Sequence, residues 1–128
     1  MNTPVTESEL AAKAVAPRVS LADIEGSIAA EHYFTAAEGE LGKRYAHNED
    51  EFGVPQDLEL LMFCVLVLKN GFTVVGKSAC ADPKNFNREI GERVARENAV
   101  REIWPLLGYE LKTKLQADAE SKPIVWMR

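Results

Sequence analysis

From Leu60 to Ser78 the chain reads LLMFCVLVLKNGFTVVGKS. The last eight residues, Gly71 to Ser78, match the phosphate-loop pattern G-x-x-x-x-G-K-[ST], whereas the first nine form an unbroken apolar run. A working phosphate loop leaves a buried strand and opens a helix at once, because its backbone N–H groups must curl around the phosphates. Here the residues between the glycines are Phe72, Thr73, Val74 and Val75, aromatic and β-branched side chains that favour extended chain. The next helix signal, Asp82-Pro83, comes four residues after Ser78, and no later apolar strand ends in an Asp that could hold magnesium. Asn70-Gly71 between two apolar runs is instead a strong hairpin signal. The stretch therefore reads as two paired strands, and no ATP or GTP turnover is expected from it.

With Asn70-Gly71 as a two-residue type I′ turn, Lys69 pairs with Phe72, Val67 with Val74, Leu66 with Val75 and Cys64 with Lys77, and Cys80 falls opposite Leu61. The first strand is apolar on both faces, so both faces need cover from helices or from a second subunit, and a further strand should lie beside it. The tail segment Pro123-Ile124-Val125-Trp126-Met127 is the remaining strand candidate.

Helices flank the hairpin. Ser20 with Asp23 resembles a capping box, and Leu21, Ile24 and Ile28 follow at helical spacing. This predicts a helix from Leu21 to about Ala37, ended by Gly39 and Gly42. Residues 43–57 carry turn formers and charge without a period and read as a loop, and residues 1–19 read as a mobile N-terminal arm. Beyond the hairpin, Asp82 is a cap with Pro83 at the first helical position, and Asn85 is a competing cap. Phe86, Ile90 and Val94, with Ala95, Ala99, Val100, Ile103 and Trp104, give one apolar stripe of a long helix. Glu89, Glu92 and Glu97 stand four residues before Arg93, Arg96 and Arg101, which reads as a self-paired charged face. Pro105 should break or kink this helix, with further helix to about Ala117. The fold class is α+β, a single domain over residues 20–128.

Composition narrows the function. With 128 residues, 46% of them hydrophobic and 27% charged, one globular core is expected. The only cysteines, Cys64 and Cys80, are too few for a disulfide framework and suit a reducing compartment. The apolar run is far shorter than the roughly 20 residues of a membrane span, and MNTPVTESE is not a secretory signal. Net charge is −5, divided unevenly: residues 1–68 hold 12 acidic and 4 basic side chains, residues 69–128 hold 8 and 11. Opposite signs in the two halves suit a basic face that meets an anionic partner, an acidic face that mimics nucleic acid or caps a basic host surface, or, more ordinarily, packing of one half on the other or pairing between subunits. Basic residues interleaved with aromatics are absent, which weighs against nucleic acid.

His32 and His47 have no Cys or Glu at metal-ligand spacing, so neither a metal nor a cofactor is expected. His32 and Tyr33, within Glu31-His32-Tyr33-Phe34, could line a pocket at the end of an element. Cys80 precedes a helix start that would lower a thiol pKa, although no His has a sequence reason to lie near it. Lys77 and Ser78 sit ahead of the same helix start, where an anion could bind. These five are the candidate ligand- or partner-binding residues; no catalytic residue stands out, and no enzyme is expected.

Cys64 to Leu111, together with Glu31 to Thr35, resembles a family of short bacteriophage and prophage proteins, the "gene product forty-nine / gene sixty-six" family of podophages. Lys69-Asn70-Gly71-Phe72-Thr73, Ser78-Ala79-Cys80 and Glu97-Asn98-Ala99 carry the likeness, which covers most of residues 21–115. The resemblance implies a phage or prophage origin and action in the host bacterial cytoplasm. Small phage accessory proteins of this kind generally act by binding a host component, so the expected partner is a host protein or small host ligand, as a host-takeover or anti-defence inhibitor or sequestering protein. An alternative is a nucleotide or nucleic-acid binder using Lys77 and Ser78. A homodimer or larger assembly, formed through the sheet edge or the N-terminal helix, is expected from the two apolar faces of the first strand.

Overall fold

The apolar run becomes the middle strand of a three-stranded antiparallel sheet. The computed structural model describes residues 3–121, in the order α1 (Glu7–Lys13), α2 (Leu21–Ser27), β1 (Ile28–Thr35), α3 (Ala36–Ala46), a 3-10 turn (Gln56–Leu60), β2 (Leu61–Leu68), β3 (Thr73–Ala79), a second 3-10 turn (Pro83–Asn85) and α4 (Arg88–Ser121). The strand order is β1-β2-β3. The α+β class and the hairpin are as expected; the tail strand candidate, residues 123–127, lies outside the described residues.

β1 is the strand that the sequence reading missed. Ser20 and Asp23 do form the reciprocal capping box of α2, but the helix stops at Ser27 and the chain turns extended. Ile28–Thr35 then pairs along the whole of β2, from Ile28 with Leu68 to Thr35 with Met62, with a bulge between Ile28 and Ala30. Seven of the eight β2 residues find a partner on β1, and this ladder outweighs a modest helical preference. A second capping box, Thr35 with Glu38, opens α3, so Gly39 and Gly42 lie inside a helix instead of ending one, and α3 takes residues 43–46 of the expected loop, whereas 47–55 are irregular as expected. Within residues 1–19, α1 is tied to α2 through Glu7, which accepts from Arg18 at 2.8 Å and from the Leu21 N–H at 3.3 Å.

The hairpin turn holds three residues, not two. Leu68 N–H donates to Phe72 O, Gly71 N–H donates to Leu68 O, both at 2.8 Å, and only Gly71 takes positive φ, at 88°. Such a turn with a glycine in the left-handed region is the next commonest hairpin connection. The Asn70 side chain steadies it by accepting from Phe72 N–H at 3.0 Å. The register is accordingly one residue away from that expected: Val67 faces Thr73, Leu66 faces Val74, Cys64 faces Gly76, and Leu61 faces Ala79 rather than Cys80. A one-residue slip turns every β3 side chain over. The expected register would have placed Lys77 beside the buried Cys64; the observed one keeps Lys77 in water, avoiding the cost of an unpaired buried ammonium.

α4 covers one face of the sheet. Its buried residues are Gly91, Ala95, Ala99 and Ile103, all small but the last, and they meet Met62, Cys64, Leu66, Leu68 and Val74 with Ile24 of α2. Each fully buried side chain of Leu or Met size contributes on the order of 2 kcal/mol. Of the expected stripe, Ala95, Ala99 and Ile103 are buried and Phe86, Val100 and Trp104 pack against the core, but Ile90 and Val94 point outward, at 55% and 39% exposure, because the helix lies too close for large side chains there. At Gly76 a Cβ would overlap the Ala99 N and Ala95 O atoms and stand 2.8 Å from Ala99 Cα. Asp82 caps only the second 3-10 turn, and α4 itself begins after Asn87, whose side chain accepts from Ile90 N–H. Pro105 does not end α4; it leaves the Arg101 carbonyl without a helical donor, and both residues are exposed, so water can replace the bond.

Gly71→Val should cost about 1–3 kcal/mol by denaturant unfolding, through backbone strain alone, since no atom lies within 4 Å of the added Cβ. An unchanged midpoint would contradict the turn geometry.

Candidate functional site: the open face of the sheet

The pairing sorts the side chains of the sheet into two faces. Toward α4 point the rows Glu31–Leu66–Val74, Tyr33–Cys64–Gly76 and Thr35–Met62–Ser78; away from it point Ala30–Val67–Thr73, His32–Val65–Val75 and Phe34–Phe63–Lys77. Of the five candidate residues, His32 and Lys77 therefore share the open face. Tyr33 and Ser78 face the helix. Cys80 lies just past β3, half-buried, with its thiol donating to Asp82 O at 3.1 Å. Lys77 and Ser78 point to opposite sides of an extended strand, so they do not converge on one anion, and the only helical element just ahead is the three-residue 3-10 turn.

On the open face six of the nine positions are apolar. Phe34 and Phe63 form a tilted ring pair with centroids 5.8 Å apart, worth about 1 kcal/mol beyond burial. α3 crosses this end of the face, where a Cβ on Gly39 would be 3.6 Å from the Phe34 ring. The rest has no covering element among the described residues: Val65 and Val67 are half-buried, and Val75 is 54% exposed. The outer edge of β3 is less available, since the Asn98 amide donates to Lys77 O at 2.7 Å and Arg101 in turn donates to Asn98 at 3.2 Å.

The polar groups on the helix face form a closed set that the sequence reading did not find. Arg96 donates to Glu25 at 2.7 Å and to Glu31 at 2.9 Å, and the Tyr33 hydroxyl donates to Glu31 at 2.7 Å. This clamp joins α2, β1 and α4, and takes Arg96 away from the Glu92 pairing expected along the helix. Bonding to Arg96 holds both carboxyls below their ordinary range. Desolvation, then the bond to Glu31, pushes the Tyr33 hydroxyl up, and burial does the same for the Cys64 thiol. A raised phenol, a raised thiol and paired carboxylates offer no proton acceptor poised near neutrality. Every buried side-chain N or O atom among the described residues has a partner, and no group of three or more metal-ligating side chains occurs among them.

The partners in this clamp are 65 and 71 positions apart, so no local spacing signals them. Arg88 likewise reaches Glu38 at 3.1 Å. The acidic first half and the basic second half of the chain thus meet partly within the molecule. Because the carboxyl pKa values are lowered on folding, the clamp stabilises above the ordinary glutamate range and is lost as pH falls through and below about 4.3. Arg96→Met should cost about 1 kcal/mol at pH 7 and flatten the acid limb of a stability–pH curve. An acid limb identical to wild type would contradict the assignment.

No helix of the described residues is long and apolar enough to cross a membrane. No curated protein and no solved structure matches the chain. Residues 19–115 match a phage protein family described as N4 Gp49/phage Sf6 gene 66, a span that runs from the residue before the α2 cap to the Leu115 turn of α4 and takes in the whole sheet. The chain belongs to this phage protein family.

Proposed function

We propose that this protein is a small phage accessory protein that acts without catalysis, by binding a component of the host cell on the open face of its sheet. The observation that carries the reading is the contrast between the two faces. One has its polar groups paired and its apolar groups covered; the other presents Ala30, Phe34, Phe63, Val65, Val67 and Val75 with cover at one end only. Contiguous apolar surface rimmed by polar groups is the mark of a contact site. His32 and Lys77 stand beside it on the outer strands and would set the orientation of a partner. The partner this suits is a host protein, because a broad apolar patch that spans three strands favours a macromolecular surface over a small ligand. The nucleotide alternative has no geometric support, since Lys77 and Ser78 diverge.

The test is capture from lysate of the infected bacterium with immobilised wild type and with Val75→Lys. A host protein retained by the wild type should be lost, at least about tenfold, with the variant, while Tyr109→Ser on the far half of α4 should leave it bound. Retention by Val75→Lys at the wild-type level would overturn the assignment of the face.

A further inference from the structure

We infer that in the free protein the open face is occupied by a second copy of the chain, packed sheet to sheet; this rests on the reading of that face as a docking surface. Size supports one identical occupant. Three strands about 4.8 Å apart and three cross-strand rows about 7 Å apart give a footprint of roughly 14 by 20 Å. Two such footprints amount to roughly 560 Å² of flat area, and side-chain relief raises the accessible surface removed toward the roughly 1,000 Å² that a specific contact needs.

Shape supports it as well. α3 stands over the Phe34 end alone. A two-fold axis lying across the strands between the Val65 and Val67 rows therefore sends the two α3 helices to opposite ends, where they frame the contact instead of blocking it. The exposed Phe72 at the hairpin end, 56% accessible, then approaches the α3 end of the other copy. The arrangement is isologous and closes at two copies. Charge does not oppose it. The only ionisable side chains on the face among the described residues are His32 and Lys77, and Lys77, in the end row farthest from the axis, can extend its ammonium into water past the rim, whereas the lysine of Val75→Lys stands in the row beside the axis. On the β3 edge, Asn98 already occupies the Lys77 carbonyl, which removes one acceptor from strand addition there.

Sedimentation at about 100 μM, high enough to populate a weak dimer, reads the outcome. The wild type should sediment as a dimer of the 14.2 kDa chain. Val75→Lys, on the exposed edge strand, should weaken the dimer at least about 100-fold with an unchanged circular dichroism spectrum, and Val65→Asp at the centre of the face should do the same. A wild type that stays monomeric, an assembly larger than two, or a dimer that folded Val75→Lys leaves intact would each overturn the inference. These outcomes are separable from host binding: a monomer that still captures a host protein through this face refutes only the dimer, and a dimer lost with Val75→Lys from a chain that captures nothing refutes only the host reading.

Discussion

At Gly76 the backbone of β3 meets the backbone of α4 at Ala95 and Ala99 with no side chain between them, and most of the architecture can be derived from that contact. The helix can approach so closely only if the strand offers a glycine and the helix offers alanines. This selects Gly91, Ala95 and Ala99 for the buried face of α4 and turns Ile90 and Val94 outward. It also selects the register of the hairpin. Gly76 must point toward the helix, so Val75 and Lys77 must point away, and the turn takes three residues to reach that phase.

The same contact leaves the sheet one-sided. α4, at 34 residues and about 1.5 Å per residue, is roughly twice as long as the strands it covers. It nevertheless lies on one face, and α2 adds Ile24 to that face rather than covering the other. A middle strand of LMFCVLVL, apolar throughout, is then buried on one side by Met62, Cys64, Leu66 and Leu68 and left open at Phe63, Val65 and Val67. The proposed role as a binding protein, and the proposed dimer, are two consequences of this imbalance, and both lie on the face that the phosphate-loop pattern, read as a strand, exposes through Val75 and Lys77.

Parts of this were legible in the sequence. The hairpin followed from Asn70-Gly71, the start of α2 from Ser20 and Asp23, and the long helix from its apolar stripe set against a charged face. β1 was not read, because Leu21, Ile24 and Ile28 hold helical spacing across the boundary at Ser27 and Gly26, one residue before it, was passed over as a helix end; Thr35 with Glu38 was the signal that a new helix began there. The register was missed because Asn-Gly suits both a two-residue turn and the glycine of a three-residue one, and the choice is made by α4, which is remote in sequence. His32 and Lys77 were singled out for local reasons and came to share a face through the β1–β2–β3 pairing, whereas Glu25, Glu31 and Arg96 meet only because three elements converge.

The most direct test of this account is equilibrium unfolding of Gly76→Ala against Gly108→Ala. Gly108 is helical with nothing within 4 Å of an added Cβ, so its replacement should stabilise by about 0.5–1 kcal/mol. At Gly76 the same methyl meets backbone atoms of α4 that no rotamer change can move, and a loss of about 3 kcal/mol or more is expected. A Gly76→Ala protein as stable as the wild type would contradict the close approach of α4 to β3, and with it the register and the open face derived from it.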